Sequence, residues 1–390
     1  MTRLKIGIDA RSLCYKQRGM PTYVFYLCQY LPDLMDADFY FFINTAFEHN
    51  EHPSDYQHRI DACKRDNVTF VDVLSDEDVK WEQSYLPKKV SEFHLDLIHL
   101  PCNRTSLRAK TKQIVTYHDV MEWKHLNLFS FPEKGQSFSH FIYCLKRKLY
   151  RWAMYRLGLK HADHVLTISN YAQSSILSTF PNVSNKISYV YHGVPENYLL
   201  DKTRYDLSER AGVLMLGGES YQKNWQNMLD AYRKLPEHVK LANKLYIAGI
   251  ANTTDGEIVK YIRSTGMEDY CEIHGWIDEQ LLLSLFSKVR VLLFASREEG
   301  FGFPLLQAMA RETPAVVSNA KVLIEIGEEA VFSADAEDSE ALMRATHALL
   351  TDDTCWHELS AAGKKRTQGF TWSTAAKAVA AAYKQVLETK

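Results

Sequence analysis

The feature that most constrains the fold is a short apolar run followed at once by a glycine turn and a helix start. The apolar run is Val289–Phe294, interrupted only by Arg290, and such a run is typical of a buried parallel strand. Glu299 and two glycines form the turn, and Pro304 then takes the first helical position, where proline removes no helical hydrogen bond. Together these elements offer free N–H groups and a positive dipole end to an anion. The alternative is an ordinary strand-to-helix turn of an α/β protein.

The same alternation of short apolar runs and helical segments continues along the whole chain. It predicts two groups of parallel strands, separated by a polar and weakly patterned stretch, Glu196–Glu209. A chain of 390 residues is also too long for one compact core and suits two domains. We therefore expect an α/β protein with two Rossmann-like domains, at residues 1–198 and 205–372.

Composition restricts the class of protein. The net charge of −2 gives no whole-molecule reason to expect a nucleic-acid partner. The seven cysteines are scattered without a metal or redox spacing, so we expect reduced thiols. The sequence shows neither a signal-peptide pattern nor an apolar run of about 18 residues. It therefore predicts a cytoplasmic protein that does not span a membrane.

The stretch Ser296–Pro314 is more specific than its glycines alone. Its string E-G-F-G-x-P-x-L, with A-M-A and T-P-x-V-x-S after it, resembles the signature of glycosyltransferase family 4. The resemblance implies the GT-B fold, in which two Rossmann-like domains face a cleft, the first on the acceptor side and the second binding a nucleotide sugar. It also implies that Phe370-Thr371-Trp372 precedes a final helix, 373–390, which crosses back to the first domain.

Two glutamates hold the donor in that family, one at the sugar and one at the ribose. The resemblance places Glu299 in the first position and, after seven intervening residues, Gln307 in the second. Glutamine keeps hydrogen-bonding capacity but lacks the charge-assisted strength of a carboxylate. The departure leaves the fold assignment intact and weakens the expected ribose contact. The resemblance also implies donor contacts from Gly300, Phe301 and Gly302.

The opening I-G-I-D-A-R is similar to the family's opening, in which a glycine loop approaches the donor diphosphate. Here we expect the loop at Cys14–Thr22 and a helix at Tyr23–Leu31. Met20-Pro21-Thr22 departs from the family pattern, so only Gly19 and its backbone are carried over as a donor contact. A single glycine is far from the G-x-G-x-x-G of a dinucleotide site.

His118 follows the apolar run Ile114–Tyr117, and ligands bind at the carboxyl ends of parallel strands. A lone histidine is more often structural. The family pattern T-x-H-D, which this stretch matches, implies that His118 contacts the donor sugar and its phosphate, while Asp119 orients His118 or the loop.

A second glycine turn opens the second domain and leads to Lys223, which is placed to reach phosphate oxygens. It resembles the family lysine that binds the donor diphosphate. Many members carry an additional arginine six residues earlier, where this chain has Gly217. The counter-charge then rests on Lys223 with backbone donors, or on a neighbour such as Arg297. The resemblance implies four further donor contacts in this domain: Gly217, Gly218, Trp276 and Ile277. Trp276 and Ile277 would contact the nucleotide base through their backbone.

A retaining transfer must stabilise a leaving diphosphate and an oxocarbenium-like sugar. We expect His118, Glu299 and Lys223 to be the catalytic residues, with no cofactor. Two D-x-D strings, Asp36-Ala37-Asp38 and Asp76-Glu77-Asp78, are interpreted as solvated turns, so no metal is predicted. No carboxylate pair of the glycosidase type is evident, which favours same-face attack with the donor phosphate accepting the acceptor's proton.

The stretch Phe138–Lys160 combines an apolar stripe with basic residues, and its part Phe141–Lys160 contains no acid. Such a helix suits an anionic membrane surface, or else a core-facing helix with a solvated basic side. The stripe consists of Phe138, Ile142, Leu145, Leu149, Trp152 and Leu159. Family members often use lipid-linked acceptors, which favours peripheral contact with the inner face of the cytoplasmic membrane.

The resemblance implies transfer of a hexose from a nucleotide sugar to a glycan or lipid-linked glycan. The combination of I-D-A-R, H-D and E-G-F-G-x-P favours GDP-mannose and bacterial surface polysaccharide, with UDP-glucose or a related UDP-hexose as the alternative. Gln307 and Gly217 keep a non-catalytic GT-B subunit open. A dehydrogenase fingerprint and a phosphorylase cofactor lysine are not evident.

Overall fold

The computed structural model describes residues 3–16, 19–46, 50–75, 77–124, 138–201, 203 and 205–389, and for 138–140 the backbone alone. The chain divides into two compact units. Unit 1 comprises Met1–Gly193 and Trp372–Lys390, and unit 2 comprises Val194–Thr371.

Unit 1 contains a parallel sheet of seven strands in the order β3-β2-β1-β4-β5-β6-β7. Ile6 of the first strand pairs with Phe39 on one side and with Leu97 on the other. The strand order therefore reverses between β1 and β4. The strands are β1 Leu4–Asp9, β2 Ala37–Ile43, β3 Val68–Asp72, β4 Leu97–Leu100, β5 Lys112–Thr116, β6 His164–Thr167 and β7 Ile187–Tyr189.

Helices connect most of these parallel strands, whereas the irregular segment 101–111 joins β4 to β5. The helices are α1 Gly19–Leu34, α2 Pro53–Ala62, α3 Asp78–Lys80, α4 Leu86–Phe93, α5 Met121–Lys124, α6 Phe138–Ala153, α7 Leu159–His161 and α8 Asn170–Thr179. A π-helical turn, Trp81–Tyr85, joins α3 to α4.

The predicted loop at Cys14–Thr22 is wrong at both ends. Arg11–Cys14 forms one 3₁₀ turn, and α1 begins at Gly19 rather than at Tyr23. Pro21 is the third residue of α1, where its missing N–H breaks no intrahelical hydrogen bond. The helix therefore starts four residues earlier than the apolar pattern indicated.

The single stripe predicted for Phe138–Lys160 is also wrong. A π-helical turn, Met154–Gly158, separates α6 from α7 and shifts the register of the side chains. Leu159 is buried, whereas Leu149 and Trp152 are 49% and 37% exposed. The side chain of Phe138, also in the predicted stripe, lies outside the described residues.

Unit 2 contains a parallel sheet of six strands in the order β10-β9-β8-β11-β12-β13, so its order reverses between β8 and β11. The strands are β8 Val213–Leu216, β9 Leu245–Ala248, β10 Cys271–Ile273, β11 Val291–Phe294, β12 Ala315–Ser318 and β13 Phe332–Ala334. The helices are α9 Glu196–Leu200, α10 Trp225–Arg233, α11 Glu237–Ala242, α12 Glu257–Ser264, α13 Glu279–Lys288, α14 Phe303–Ala310, α15 Lys321–Gly327, α16 Ser339–Thr351 and α17 Asp353–Thr367.

The stretch Glu196–Glu209, which the sequence predicted as the linker, begins with α9 and belongs to unit 2. Tyr198 of α9 is buried, and its ring centroid lies 6.0 Å from that of Phe286. Arg311 also donates from Nη1 to the Tyr198 carbonyl, at 3.2 Å. The division between the units therefore falls at Gly193 rather than within the polar stretch.

The last helix, α18 Trp372–Glu388, packs on unit 1, as the C-terminal helix of a GT-B protein was expected to do. The Trp372 ring stacks on Tyr26 of α1, with centroids 4.5 Å apart. Deeper in the core, the Tyr383 hydroxyl lies 2.7 Å from Nδ1 of His99, a buried residue of β4. None of the helices in the described part of the chain has the length and apolarity needed to cross a membrane.

Candidate functional site

The predicted donor residues of unit 2 collect where its strand order reverses. Lys223 follows β8 and Glu299 follows β11, and these two strands are neighbours in the sheet. In open parallel sheets, ligands bind outside the carboxyl ends of the strands at such a reversal. The topology thus brings together two turns that lie more than seventy residues apart in sequence.

The turn after β8 is shaped around the Lys223 side chain. Gly217 has a positive φ of 130°, and a Cβ at this position would lie 3.1 Å from Cδ of Lys223. The absence of a side chain lets the lysine stem pass over the glycine. The arginine that many family members carry could not occupy position 217 without strain in this turn. A Cβ at Gly218, in contrast, would meet only the Gly249 carbonyl oxygen, at 3.9 Å.

Asn224 fixes the end of the same turn. It adopts the left-handed conformation, with φ 54°, and its side chain is buried. Its Nδ2 donates to the carbonyl of Ala295 at 2.8 Å and to that of Ala336 at 2.7 Å. The residue therefore fastens the turn after β8 to the end of β11. The sequence analysis did not predict this role for Asn224, which directly follows Lys223 in the chain.

Lys223 and Glu299 form an ion pair, with Nζ 2.7 Å from Oε1. The side chain of Glu299 is 13% exposed and that of Lys223 is 33% exposed. The Nζ atom also lies 5.7 Å from the ring centroid of Phe294, a cation–π contact. A cation and a carboxylate, the groups that bind phosphate and sugar hydroxyls, thus lie at one point of the sheet edge.

The turn after β11 leads into α14 through Gly302, which has φ 98°. A Cβ here would lie 2.7 Å from Cδ2 of Leu323, so glycine is required by both backbone and packing. The N–H groups of the first turn of α14 have no intrahelical acceptor and present a partial positive charge. Gln307 lies in the middle of α14 and is half-buried. Its side-chain amide makes no hydrogen bond to another residue within the described ranges.

Arg297, which the sequence offered as an alternative counter-charge, contacts residues that follow β8 and β13. Its Nε and Nη2 donate to the carboxylate of Glu337 at 2.5 Å and 2.9 Å. Its Nη1 donates to the Tyr221 carbonyl at 2.7 Å, and the guanidinium lies over the Tyr221 ring. The residue links the turns after β8 and β11, and both Lys223 and the alternative counter-charge Arg297 stay predictions.

Trp276 and Ile277 follow β10, at the edge of the same sheet. The indole of Trp276 is 52% exposed and lies beside Gly249, where a Cβ would be 3.9 Å from Cζ3. That Cβ would also lie 3.7 Å from the backbone nitrogen of Gly217. Trp276 is therefore close to the glycine turn that carries Lys223, as a base-binding position would be.

In unit 1, His118 follows β5 and is held by the segment that follows β4. Its Nε2 lies 2.8 Å from the Pro101 carbonyl, and its backbone N–H donates to Oδ1 of Asn103 at 2.7 Å. The Tyr23 ring contacts the imidazole edge-on, with centroids 5.3 Å apart. Burial lowers the pKa of His118 to about 4, and the hydrogen bond to Pro101 opposes this shift. The imidazole is therefore neutral at pH 7.

Two other sequence-predicted residues of unit 1 are also located. Asp119 accepts at Oδ1 from the backbone N–H of Met121, at 2.8 Å, and so orients the loop after β5. Gly19 is exposed and is the first residue of α1, so its N–H is one of the free donors of that helix start.

A buried charge network at the reversal of the unit 1 sheet was not anticipated. Arg11 pairs with Asp9 at 2.9 Å, with Asp78 at 2.8 Å and with Glu82 at 3.2 Å. Burial raises the pKa of Glu82, although Arg11 and Arg104 oppose the shift. Tyr150 of α6 donates to the Glu82 carboxylate as well. Asp78 and Glu82 lie 67 and 71 residues from Arg11 in the sequence, so no local pattern could have signalled these two pairs.

The described carboxylates of the two D-x-D strings are solvated as predicted, with Asp36, Asp38 and Asp78 94%, 38% and 50% exposed, although Asp38 lies in β2 and Asp78 in α3 rather than in turns. Asp36 and Asp38 both pair with Arg3, at 3.0 Å and 2.9 Å. Asp78 pairs with the buried Arg11, while Asp76 lies outside the described residues. Within the described ranges, no group of three or more His, Cys, Asp or Glu side chains is placed to hold a metal ion.

Two family models match successive parts of the chain. The model described as Glycosyltransferase Family 4 matches residues 17–198. The model described as Glycosyl transferases group 1 matches residues 205–366. The first match lies largely in unit 1 and the second in unit 2.

Curated relatives are similar at a low level of identity. The chain is 24% identical over 282 residues to O-antigen chain mannosyltransferase B of Escherichia coli, an alignment that covers 70% of each protein. It is 25% identical over 236 residues to O-antigen chain mannosyltransferase RfbU of Salmonella typhimurium, covering 60% of this chain and 59% of that protein. The chain thus matches between about three-fifths and seven-tenths of these relatives' lengths.

Solved structures share the fold over the whole chain. Sucrose-phosphate synthase from Thermosynechococcus elongatus superposes with a TM-score of 0.71 at 16% identity, over 100% of both chains. The Anabaena protein Alr3699/HepE, solved with UDP and glucose, gives a TM-score of 0.71 at 15% identity, over 98% of this chain and 100% of that one.

Proposed function

The chain belongs to the glycosyltransferases of the family 4 type with the GT-B fold, and on this premise we propose that it is a retaining hexosyltransferase. Its donor is a nucleotide-diphosphate sugar, and its acceptor is a sugar hydroxyl of a glycan or lipid-linked glycan. The product belongs to a bacterial surface polysaccharide. The mannosyltransferase names of the two curated relatives support that setting.

The observation that carries the proposal is the contact between Lys223 and Glu299 at the reversal of the unit 2 sheet. The ammonium supplies a positive charge for a leaving diphosphate, and the N-terminus of α14 adds free N–H groups. The carboxylate accepts hydrogen bonds from ring hydroxyls. Gly217 leaves room for the Lys223 stem, so this arrangement is built into the turn.

The proposed chemistry is same-face displacement. A double-displacement glycosidase needs two carboxyl groups about 5 Å apart, one of them a nucleophile. In unit 2 the ion-pair partner of Glu299 is a lysine, which suits leaving-group stabilisation rather than that pairing. We propose that the departing phosphate accepts the proton of the acceptor hydroxyl as the new glycosidic bond forms and the bond to phosphate breaks. No metal or cofactor takes part in this proposal.

The donor we favour is GDP-mannose, with a UDP-hexose as the alternative. The favoured donor rests on the motif combination and on the names of the two relatives. The Anabaena protein was solved with UDP and glucose, but that likeness concerns the fold. A thermal-shift screen against GDP, UDP, ADP and dTDP separates these donors, since a ligand at about 100 times its Kd stabilises by about 2.7 kcal/mol.

A hydrolysis assay tests the enzymatic proposal and separates it from a non-catalytic subunit. Purified protein is incubated with each nucleotide sugar without acceptor, and release of nucleoside diphosphate is followed. Slow hydrolysis that Lys223→Ala abolishes supports the proposal. The matched control is Lys234→Ala, a lysine that pairs with Glu340 on the surface of the same unit. Tight binding with no hydrolysis or transfer for any donor would favour the non-catalytic subunit.

We also propose that α6 touches an anionic membrane surface. Tyr143, Leu149 and Trp152 are 56%, 49% and 37% exposed. Lys146 and Arg147 are exposed beside them on the same helix. Exposed apolar and aromatic side chains among basic ones suit a helix that lies in a lipid interface. A lipid-linked acceptor would be presented at the same surface, at the cytoplasmic face of the membrane.

A further inference from the structure

We propose that the last helix, α18, positions His118 from a distance, through hydrogen-bonded side chains buried in the core of unit 1. These side chains, here called the His99 network, run from helix to strand to strand to helix and are Tyr383, His99, Thr116 and Tyr23. All four are at most 1% exposed, so they act through His118 as positioning residues. That His118 is catalytic rests on the proposed function, whereas the network itself follows from contacts within unit 1.

Three hydrogen bonds join the members of the His99 network. The Tyr383 hydroxyl of α18 lies 2.7 Å from Nδ1 of His99 in β4. Nε2 of the same ring lies 2.7 Å from Oγ1 of Thr116 in β5. That oxygen lies 3.1 Å from the hydroxyl of Tyr23 in α1. Because the site is buried, water does not compete for these bonds, and each of them fixes the position of its two partners.

The Tyr383 hydroxyl determines which nitrogen of His99 carries the proton. Burial lowers the pKa of His99 to about 3, so its ring is neutral at pH 7, with one N–H and one lone pair. A phenol hydroxyl, with a pKa of about 10, is a stronger donor than an aliphatic hydroxyl. Tyr383 therefore donates to Nδ1, and the ring proton resides on Nε2, which donates to Thr116.

The far end of the network is Tyr23, whose ring lies against His118. The two ring centroids are 5.3 Å apart and the contact is edge-on. Tyr23 also contacts the ring of His192, at 4.9 Å, and the rings of His118 and His192 are 5.7 Å apart. The three rings thus pack against one another, so a displacement of Tyr23 displaces the His118 imidazole.

Helix α18 contacts the same group of rings a second time, at its first residue. The ring centroid of Trp372 lies 5.5 Å from that of His192 and 6.4 Å from that of Tyr23. Such ring contacts tolerate small shifts, whereas hydrogen bonds depend steeply on distance and angle. The indole therefore covers the rings, and the His99 network specifies where the Tyr23 hydroxyl lies.

A network that only stabilised the core would respond differently to substitution. Loss of a hydrogen bond would then lower the free energy of unfolding, while the folded protein would keep its turnover and its ring positions. Turnover of the folded protein and the NMR signals of the His118 ring therefore distinguish the two roles.

Tyr383→Phe deletes the oxygen at the helix end of the network and keeps the apolar ring in the core. We expect kcat to fall about five- to tenfold while the donor KM stays almost unchanged, because the predicted donor-binding side chains of unit 2 are untouched. The matched control is Tyr232→Phe, which removes a buried hydroxyl of unit 2 that donates to the Asn243 carbonyl at 2.8 Å.

Tyr232→Phe should lower thermal stability about as much as Tyr383→Phe and leave kcat unchanged. If Tyr383→Phe also leaves kcat unchanged, or if both variants lose kcat in proportion to stability, the network is structural only and the inference is wrong.

Two substitutions at Thr116 test the middle of the network. Thr116→Val replaces the hydroxyl by a methyl group of similar size, whereas Thr116→Ser keeps the hydroxyl and loses the methyl group. We expect Thr116→Val to lower kcat as Tyr383→Phe does, and Thr116→Ser to retain most of it. The double variant, Tyr383→Phe with Thr116→Val, should lose little more than either single variant, since both break the same path. A lower kcat for Thr116→Ser than for Thr116→Val, or additive losses in the double variant, would contradict a shared path.

A spectroscopic measurement tests the network without turnover. Histidine-selective ¹⁵N labelling and long-range ¹H–¹⁵N correlation spectra report the tautomer of each ring, and His99→Gln and His118→Gln assign the two signals. We expect His99 to be protonated at Nε2 at pH 7, and Tyr383→Phe to shift or broaden the His118 signals, whereas Tyr232→Phe should not. A His99 ring protonated at Nδ1, or His118 signals that Tyr383→Phe does not change, would overturn the inference. If these signals change as expected but no nucleotide sugar is turned over, the proposed function is refuted and the positioning of the ring stands.

Discussion

Lys223 and Glu299, which follow neighbouring strands of the unit 2 sheet, form an ion pair with Nζ 2.7 Å from Oε1. In the unliganded chain each side chain neutralises the other. Under the proposed function, a donor diphosphate would compete with Glu299 for the ammonium, and the released carboxylate would accept hydrogen bonds from the sugar hydroxyls. The pair therefore holds both side chains at the sheet edge.

Glu299→Gln should separate nucleotide binding from turnover. The substitution removes the anion beside Lys223, so a nucleoside diphosphate should bind severalfold more tightly. Turnover should fall by about two orders of magnitude or more, because the sugar loses a charge-assisted partner in the transition state. Calorimetry with the diphosphate and initial rates with the nucleotide sugar measure the two effects.

The matched control is Glu298→Gln, which removes the neighbouring carboxylate of the same turn. Glu298→Gln should leave the affinity for the nucleoside diphosphate and the turnover close to those of the unsubstituted protein. Near-normal transfer by a folded Glu299→Gln or Glu299→Ala protein would remove Glu299 from the site.

Arginine should be tolerated at position 218 and harmful at position 217. Gly217 has φ 130° and lies under the Lys223 stem, whereas a Cβ at Gly218 meets nothing nearer than 3.9 Å. Gly217→Arg should lower thermal stability and donor affinity together. Gly218→Arg should fold normally and bind a nucleoside diphosphate more tightly, with an effect that weakens at high salt. The opposite ranking in a thermal-shift titration would contradict this account of the turn.

Gln307→Glu should strengthen donor binding without changing the chemistry. The amide of Gln307 makes no hydrogen bond within the described ranges, so the substitution breaks no contact seen there. A carboxylate would accept ribose hydroxyls through charge-assisted bonds. Such a contact stabilises the enzyme–donor complex and the transition state equally. The donor KM should therefore fall severalfold while kcat stays constant. A collapse of kcat, or a higher donor KM, would show that Gln307 has another role.

Mild acid should destabilise unit 1 more than unit 2. Burial lowers the pKa of His99 to about 3 and that of His118 to about 4. Both values lie below the ordinary histidine pKa, so between the folded and unfolded pKa values the unfolded chain binds more protons than the folded chain. The free energy of unfolding of unit 1 therefore decreases as the pH is lowered. Each histidine contributes about 1.4 kcal/mol for each pH unit below its unfolded pKa.

Hydrogen exchange of β4 and β5 against β8 and β9, at about pH 7 and about pH 5, measures this difference. His99→Gln should reduce the dependence on pH because it removes one titrating group. An equal loss of protection in the strands of unit 2 would assign the acid sensitivity to groups other than these histidines.

Charge reversal on α6 should abolish membrane binding and spare activity on a soluble acceptor. Each basic side chain near an anionic surface contributes about 1 kcal/mol, so replacing Lys146, Arg147 and Arg151 by glutamate removes a large part of the attraction. Sedimentation with phosphatidylglycerol vesicles measures binding.

A matched triple reversal controls for net charge. Lys64, Lys260 and Lys364 are exposed on other elements, and replacing them by glutamate changes the net charge equally. This variant should still sediment with the vesicles. The membrane proposal is wrong if the unsubstituted protein does not bind them.

The apolar runs Val289–Phe294 and Ile114–Tyr117 were recognisable because buried parallel strands are short, nearly continuous apolar runs. They overlap β11 Val291–Phe294 and β5 Lys112–Thr116. The helix start at Gly19 was missed because its first turn contains a glycine and a proline, residues that usually indicate a loop. The π-helical turn at Met154–Gly158 was missed because it leaves the helical composition unchanged.

The candidate site was predictable where its residues lie in a local motif. The turn containing Glu299 and the turn containing Lys223 could each be recognised from sequence, but the ion pair between them depends on which strands are neighbours. The pairing of Arg297 with Glu337 and the hold of Asn103 on His118 depend on side-chain direction as well. Contacts of this kind produce no periodic pattern in the sequence, so they could not be predicted from it.

The position of α18 has a consequence for the order in which the protein is made. The ribosome completes β7 and then all of unit 2 before it releases Trp372 and Tyr383, the residues that cover Tyr26 and reach His99. At about 5–20 residues per second, this interval lasts roughly 10 to 40 seconds. During that time the nascent unit 1 has its sheet but lacks the helix that covers α1. We therefore expect newly made chains to need protection by chaperones at that surface until α18 has been made and has packed on α1.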